Sequence, residues 1–248
     1  MKPNARAIGR SLRLYHGDPA RRAALDALYR RFVRPGDLAF DIGAHVGDRT
    51  ASFRRLGARV VALEPQPAAM RALRLIHGRD ADVALVQAAA GGAIGTVRLA
   101  VNTANPTVTT ASSAFVAAAA GARGWEGQAW DREIEVPMTT LDALIAAHGS
   151  PSFVKIDVEG FEDEVLAGLT QPVPALSFEF TTIARDVAQR ALLRLAARAP
   201  YRFALSLGET AALADETVPA ARMADILDAL PHEANSGDVY AVLEAGRS

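Results

Sequence analysis

An α/β fold, with a mostly parallel sheet covered by helices on both faces, is the class this sequence predicts. Two patterns carry the prediction. Short, near-continuous apolar segments alternate with amphipathic helical stretches, as expected of strands buried on both faces. Acids and glycines then stand directly after several of those segments, where a doubly wound sheet binds ligands. With 50% hydrophobic residues in 248, the chain can bury a sizeable core.

In chain order, Asp18 to Phe32 reads as a helix, because Leu25, Leu28, Tyr29 and Phe32 recur at three and four residues. "RPGD" ends it. Strand and helix then alternate: "LAFDI" at 38–42, a helix through 47–56, "RVVALE" at 59–64, a helix through 67–77, and "DVALVQAA" at 82–89. "GTVRLAV" at 95–101 looks like an antiparallel insertion. A stretch poor in pattern follows at 102–132, then the strand candidate "EIEVP" and a helix at 140–148. "SFVKIDV" (152–158), a helix at 160–168, "ALSFEF" (175–180), a helix at 184–199, "YRFALSL" (201–207) and "DVYAVLE" (238–244) complete the series. One domain over 1–248 is the economical reading, with a helical extension at 1–34 and an insertion at 102–132.

Composition narrows the partners. There are 27 basic and 28 acidic residues, so no global charge points to nucleic acid. The first 34 residues hold nine Lys or Arg against Asp18 and Asp26, which reads as a solvated helix face. The absence of cysteine excludes disulfides and thiolate chemistry and fits a reducing compartment. "MKPNARAIGRSLRLYHG" has charges but no apolar stretch of the kind a signal peptide needs. No uninterrupted apolar run reaches the roughly 18 residues of a membrane helix. A cytoplasmic protein without an integral membrane segment is the expectation.

The chemistry centres on "LAFDIGAHVGDRT". The strand ends at Asp41, Gly43 permits a sharp turn, and Gly47 stands at the start of the next helix. A dinucleotide fingerprint begun at Gly43 would need glycine at His45 and Asp48. The turn that holds a pyrophosphate is therefore absent, and Asp48 should repel a phosphate. The spacing suits a ligand without phosphates there, such as the cationic S-adenosylmethionine. Glu64, 21 residues beyond Gly43 at the next strand tip, can accept both hydroxyls of a ribose. Gln87 and Ala88, with Ala89, are candidate walls for an adenine. At the fourth strand, Asp157 and Glu159 bracket the strand end. Glu159 alternatively caps the helix that follows, and Lys155 pairs with an acid. A side chain at Gly43 should occupy ligand space at modest cost in stability.

These motifs resemble the FkbM family of S-adenosylmethionine-dependent methyltransferases. "FDIGAHVGDRT", "VVALEPQPAAM", "TTLDAL" and "VKIDVEGFEDEVLAGL" carry the resemblance, in order and spacing, from about residue 20 to 180. It implies a Rossmann-like class I methyltransferase fold of seven strands, the last antiparallel. It implies methyl transfer from S-adenosylmethionine, usually to a hydroxyl oxygen on a sugar or glycan or on a secondary metabolite. By the same resemblance Asp41, Gly43, Ala44, His45 and Gly47 surround the donor, Glu64 binds its ribose, and Asp157 lies near the reacting centre. The common family pattern has Asn where this chain has His45.

An alcohol must lose its proton as the new bond forms, so a base is required. His45, Asp157 and Glu159 are the candidates, with Glu179 beside them. Asp157 and Glu179 fall on neighbouring strand ends, but no third oxygen ligand follows at a convincing spacing, so no metal is expected. The 102–132 stretch is a candidate lid. It offers Asn102, Asn105, Thr107 and Thr109 to a polyhydroxylated acceptor, and Trp125 and Trp130 to stack on a sugar ring. Two alternatives share the fold: an NAD-type oxidoreductase and a non-catalytic nucleotide-binding module.

Overall fold

The computed structural model describes residues 3–208 and 210–244. Two helices lead in, α1 (Pro3–His16) and α2 (Pro19–Tyr29). Asp18 starts α2 by accepting hydrogen bonds from the N–H groups of Ala20 (2.8 Å) and Arg21 (3.3 Å), with Pro19 in the first turn. Next come β1 (Leu38–Ile42), α3 (Asp48–Arg55), β2 (Arg59–Leu63), α4 (Pro67–His77) and β3 (Val83–Val86). The insertion holds β4 (Ala89–Ala90), β5 (Gly95–Val101), α5 (Ser113–Ala119) and β6 (Arg132–Thr139). The chain continues through α6 (Leu141–His148), β7 (Phe153–Ile156), α7 (Glu162–Ala167), β8 (Ala175–Thr181) and α8 (Arg185–Arg198). It closes with β9 (Tyr201–Leu207), α9 (Ala220–Ala229) and β10 (Ser236–Leu243).

Seven strands form the main sheet in the order β3-β2-β1-β7-β8-β10-β9. β10, the last in the chain, runs antiparallel to both its neighbours, and the pairs from β3 to β8 are parallel. The strand order reverses between β1 and β7, which makes their carboxyl ends the switch point. Residues alternate between two cores, as the period of a strand demands. Phe40, Leu63, Val154 and Phe178 face α6 to α9, whereas Ala39, Val60, Phe153 and Tyr240 face α2 to α4. On the second face Phe32 stacks on Phe153 at 5.0 Å and on Tyr240 at 5.4 Å.

The expected antiparallel insertion is present: β5 pairs antiparallel with β6, and β4 lies parallel to β6 on the other side. The rest of 102–132 is more regular than its sequence suggests. It contains a short 3-10 turn at Pro106–Val108 and the helix α5, whose Phe115 N–H is capped by Ser112 at 3.1 Å. Phe115 meets Trp125 edge-on at 5.2 Å, and Trp130 donates its ring N–H to the Val108 carbonyl at 2.8 Å. Val108, Phe115 and Trp125 are buried with Ala184 and Val187. The two tryptophans thus pack on the domain, Trp125 buried and Trp130 partly buried. α1 falls within the helical extension expected at 1–34, whereas α5 and α9 were not expected from sequence. Among the described residues no helix is long and apolar enough to cross a membrane.

Candidate active site

The turn after β1 is shaped by contact with β7. Gly43 has φ +83°, and a Cβ there would stand 1.8 Å from the Asp157 carbonyl oxygen. Close approach of two strand tips therefore demands this glycine, and a side chain there costs the fold more than the modest loss expected. His45 follows in the left-handed region, φ +46°. Its backbone N–H donates to Glu64 Oε2 at 2.9 Å, and the Gln66 N–H donates to Glu64 Oε1 at 2.7 Å. One buried carboxyl, 2% exposed, so ties the tips of β1 and β2 together. Burial, aided by the charges of Asp41 and Asp157, pushes Glu64 up to about 8 despite those two bonds.

Asp41 is also buried, and burial raises it to about 6. Its Oδ2 accepts from the Thr50 N–H at 2.9 Å and the Thr50 hydroxyl at 2.5 Å. Asp48 is paired with Arg21 at 3.1 Å and Arg49 at 2.5 Å, which hold it ionised against the effect of burial. Its charge is thus compensated, and the missing glycines alone carry the case against a pyrophosphate. The His45 side chain touches Tyr15 edge-on at 6.1 Å. Burial lowers its ring to about 4, outweighing the pull of Asp48 and Asp157, so it is a neutral imidazole at pH 7. Neither ring nitrogen has a hydrogen-bond partner.

At the β7 tip, Lys155 is wholly buried and reaches Asp238 of β10 at 2.7 Å and Asp157 at 3.3 Å. Burial opposes ionisation of Asp157, but Lys155, Arg49 and a hydrogen bond from Glu179 hold it below the usual carboxylate range. Glu179 is driven the other way, by burial first and then by Asp157 and Glu159. The pair therefore reads as one carboxylate and one carboxylic acid sharing a proton. Glu159 does not cap the following helix. The helix has no side-chain cap, and Glu162 at its start instead braces the turn before it, its Oε1 accepting from the N–H groups of Val158 (3.1 Å) and Gly160 (3.3 Å). Thr110 of the insertion donates its hydroxyl to the Glu159 carbonyl at 2.7 Å.

Two cavities adjoin at these tips, and Gly43, His45 and Thr107 border both. The first, about 530 Å³, is mainly apolar: Leu63, Pro65, Ala89, Ala90, Leu99, Val158 and Phe161 surround Glu64 and Gln66. The second, about 540 Å³, is polar, with Tyr15, Asp41, Ala44, Asp48, Arg49, Lys155, Asp157, Glu159 and Glu179 in its walls. The site residues anticipated from sequence mostly converge here. Three do not. Gln87 accepts a hydrogen bond from Arg74 at 3.1 Å and Ala88 is packed in the core, while Ala89, also offered from sequence, lines the apolar cavity with Ala90. Gly47 lies outside both linings: its φ is +80°, and a Cβ there would meet Leu73 at 2.6 Å, so packing against α4 requires it. Tyr15, Arg49 and Phe161 were not anticipated, whereas Thr107, offered to the acceptor from sequence, borders both cavities.

The description "Methyltransferase FkbM domain" matches residues 41–202, a span that takes in the end of β1, all of β2, β7 and β8, and every carboxyl of the cleft. The chain belongs to the FkbM methyltransferase family. It is thus a methyltransferase by family, and the family's methyl donor is S-adenosylmethionine. The nicotinamide alternative falls with that assignment. No curated protein matches the chain. Among solved structures it is similar to an O-methyltransferase from Bacillus cereus in complex with SAH, at 12% identity and TM-score 0.48, over 96% of this chain and 90% of that one. It is also similar to precorrin-6y C5,15-methyltransferase from Geobacter metallireducens, at 14% identity and TM-score 0.45, over 90% and 87%. A third similarity is to Aeropyrum pernix fibrillarin with natively bound S-adenosyl-L-methionine, at 11% identity and TM-score 0.42, over 85% and 68%.

Proposed function

We propose that the protein methylates a hydroxyl oxygen of a sugar, glycan or secondary metabolite, with S-adenosylmethionine in the paired cavities. The observation that carries this reading is the juxtaposition itself: an apolar cavity with one buried carboxyl opens, past Gly43 and His45, onto a polar one. The residues fit the donor. Ala89, Ala90, Leu99 and Phe161 offer flat apolar walls to an adenine. Glu64 keeps lone pairs free for the ribose hydroxyls after accepting two N–H groups. Asp41 lies where a cationic methionine end would be stabilised.

The donor supplies an already activated methyl group, and the protein must align the acceptor with it and keep water out. In this reading the 102–132 segment roofs the cleft through Thr107 and Thr109, and α1 closes the polar end through Tyr15. Asp157 is the carboxylate placed to accept the hydroxyl proton, and Glu179, already protonated, fixes its orientation. His45, held neutral, can accept a hydrogen bond from the acceptor. The test is release of S-adenosylhomocysteine on incubation with hydroxyl-bearing sugars and glycans, with the methyl group located by NMR. A methyl on oxygen supports the proposal. A methyl on nitrogen or carbon would overturn the O-methylation, and tight donor binding with no turnover on any acceptor class would favour a non-catalytic binding module.

A further inference from the structure

Three carboxyls in the polar cavity converge although they come from separate places in the chain. One oxygen each from Asp157, Glu159 and Glu179 lies within 4.8 Å of the other two. Asp157 and Glu179 stand on neighbouring strands, and Glu159, in the turn after β7, supplies the third oxygen that sequence spacing alone does not reveal. Oxygens on opposite sides of one hard divalent ion stand about 4–5 Å apart, given metal–oxygen distances of ~2.0–2.6 Å.

A second observation, independent of the acids, lies in the wall of the same cavity. Both nitrogens of the His45 ring are shut off from solvent there, and among the described residues neither has a hydrogen-bond partner. Buried polar groups are nearly always satisfied, so an orphaned imidazole in a cavity wall marks a place where something polar binds. Glu179 Oε2 is a second buried atom without a partner in that cavity. Five carboxyls line the cavity against Arg49 and Lys155, so a cation that displaces the proton shared by Asp157 and Glu179 meets an excess of acidic groups. The Lys155 ammonium sits closer to Asp238 (2.7 Å) than to Asp157 (3.3 Å), so it is already engaged outside the cluster.

We infer that Asp157, Glu159 and Glu179 bind a hard divalent cation, Mg²⁺ or Mn²⁺, in the polar cavity, with His45 in the opposing wall to meet its bound water or substrate. All-oxygen ligands select such ions over softer metals. The role, though not the site, rests on the O-methylation reading: a cation there would hold the acceptor oxygen and make its proton easier to lose.

The experiment is Mn²⁺ titration of the full chain followed by EPR, with Mg²⁺ as competitor. One bound Mn²⁺ per chain, displaced by Mg²⁺, is expected. Glu179→Gln should weaken it by about 10-fold or more, and Glu159→Gln should do the same, whereas Asp80→Asn, whose carboxylate pairs with Arg54 away from the cavity, should not. S-adenosylhomocysteine calorimetry on the same samples reports on the fold and the donor site separately. No bound Mn²⁺ at millimolar concentration, or binding that survives both Gln variants, overturns the cation site. Should Glu179→Gln fail to fold, Glu159→Gln decides. Mn²⁺ binding without S-adenosylhomocysteine binding would sink the donor reading and leave the cation site standing.

Discussion

The apolar cavity contains one carboxyl, Glu64, whereas the polar cavity beside it is lined by five carboxyls, an arginine and a lysine. In the first, shape comes from backbone and small side chains: Ala89, Ala90 and Gly43. In the second, shape comes from mutually dependent charges. Asp48 needs Arg21 and Arg49, and Asp157 needs Lys155, which in turn needs Asp238. A change in the first region should therefore act locally. A change in the second should propagate, because each removed charge strands another.

The residue common to both regions should show the largest effect. Gly43→Val forces a side chain against the Asp157 carbonyl at a left-handed φ. We expect a loss of about 4 kcal/mol or more in denaturant unfolding, and no donor binding. A variant that folds normally would break the claim that the two tips are locked together. Next comes Lys155→Met, which leaves Asp157 and Asp238 buried without their cation. About 3–5 kcal/mol is the expected cost. A companion change, Asp238→Asn, should recover part of it, which a simple loss of packing would not allow.

Asp157→Asn tests the chemistry of the polar region. The amide keeps the shape but cannot accept a proton. With an acceptor in hand, turnover should fall by a factor on the order of 100 while donor affinity changes little. Equal losses would move Asp157 into the donor site. The pH dependence sharpens the contrast. Glu64 is an acid whose folded value, about 8, exceeds the ordinary 4.5. The folded state binds the extra proton, so this group's contribution to stability is full below pH 4.5 and is lost as pH rises towards 8. Glu64→Gln should remove that part of the pH slope in thermal unfolding measured between pH 5 and 8.

The strands and glycine turns were legible because their signals are local. "LAFDI", "RVVAL" and "FVKI" are apolar but for one charged residue each, Asp41, Arg59 and Lys155, and the Gly43 turn directly follows the first. Helices with narrow apolar stripes were less so. α1 buries Ile8 among arginines, with Leu12 and Tyr15 packed beside it, and α9 buries only Met223 and Leu227. Of the three residues read as an adenine wall, Ala89 lines the apolar cavity and Gln87 and Ala88 do not, because β3 stops at Val86 and the chain crosses to β4, which pairs with β6 about fifty residues on. Pairings across long separations left no trace in sequence: Lys155 with Asp238 and Thr110 with Glu159 are 83 and 49 residues apart. The tryptophans were legible as aromatic surface, but their burial against α5 depends on a helix that the alanine-rich stretch conceals.

In the proposed function the apolar cavity holds the donor, and Glu64 is its decisive polar contact. Calorimetric titration of S-adenosylhomocysteine into the wild type and Glu64→Ala tests it most directly. One molecule per chain should bind the wild type, and the variant should bind more weakly by about 1–3 kcal/mol, with its fold retained because the change adds no bulk. Equal affinity in the two proteins, or no binding to the wild type, would contradict it.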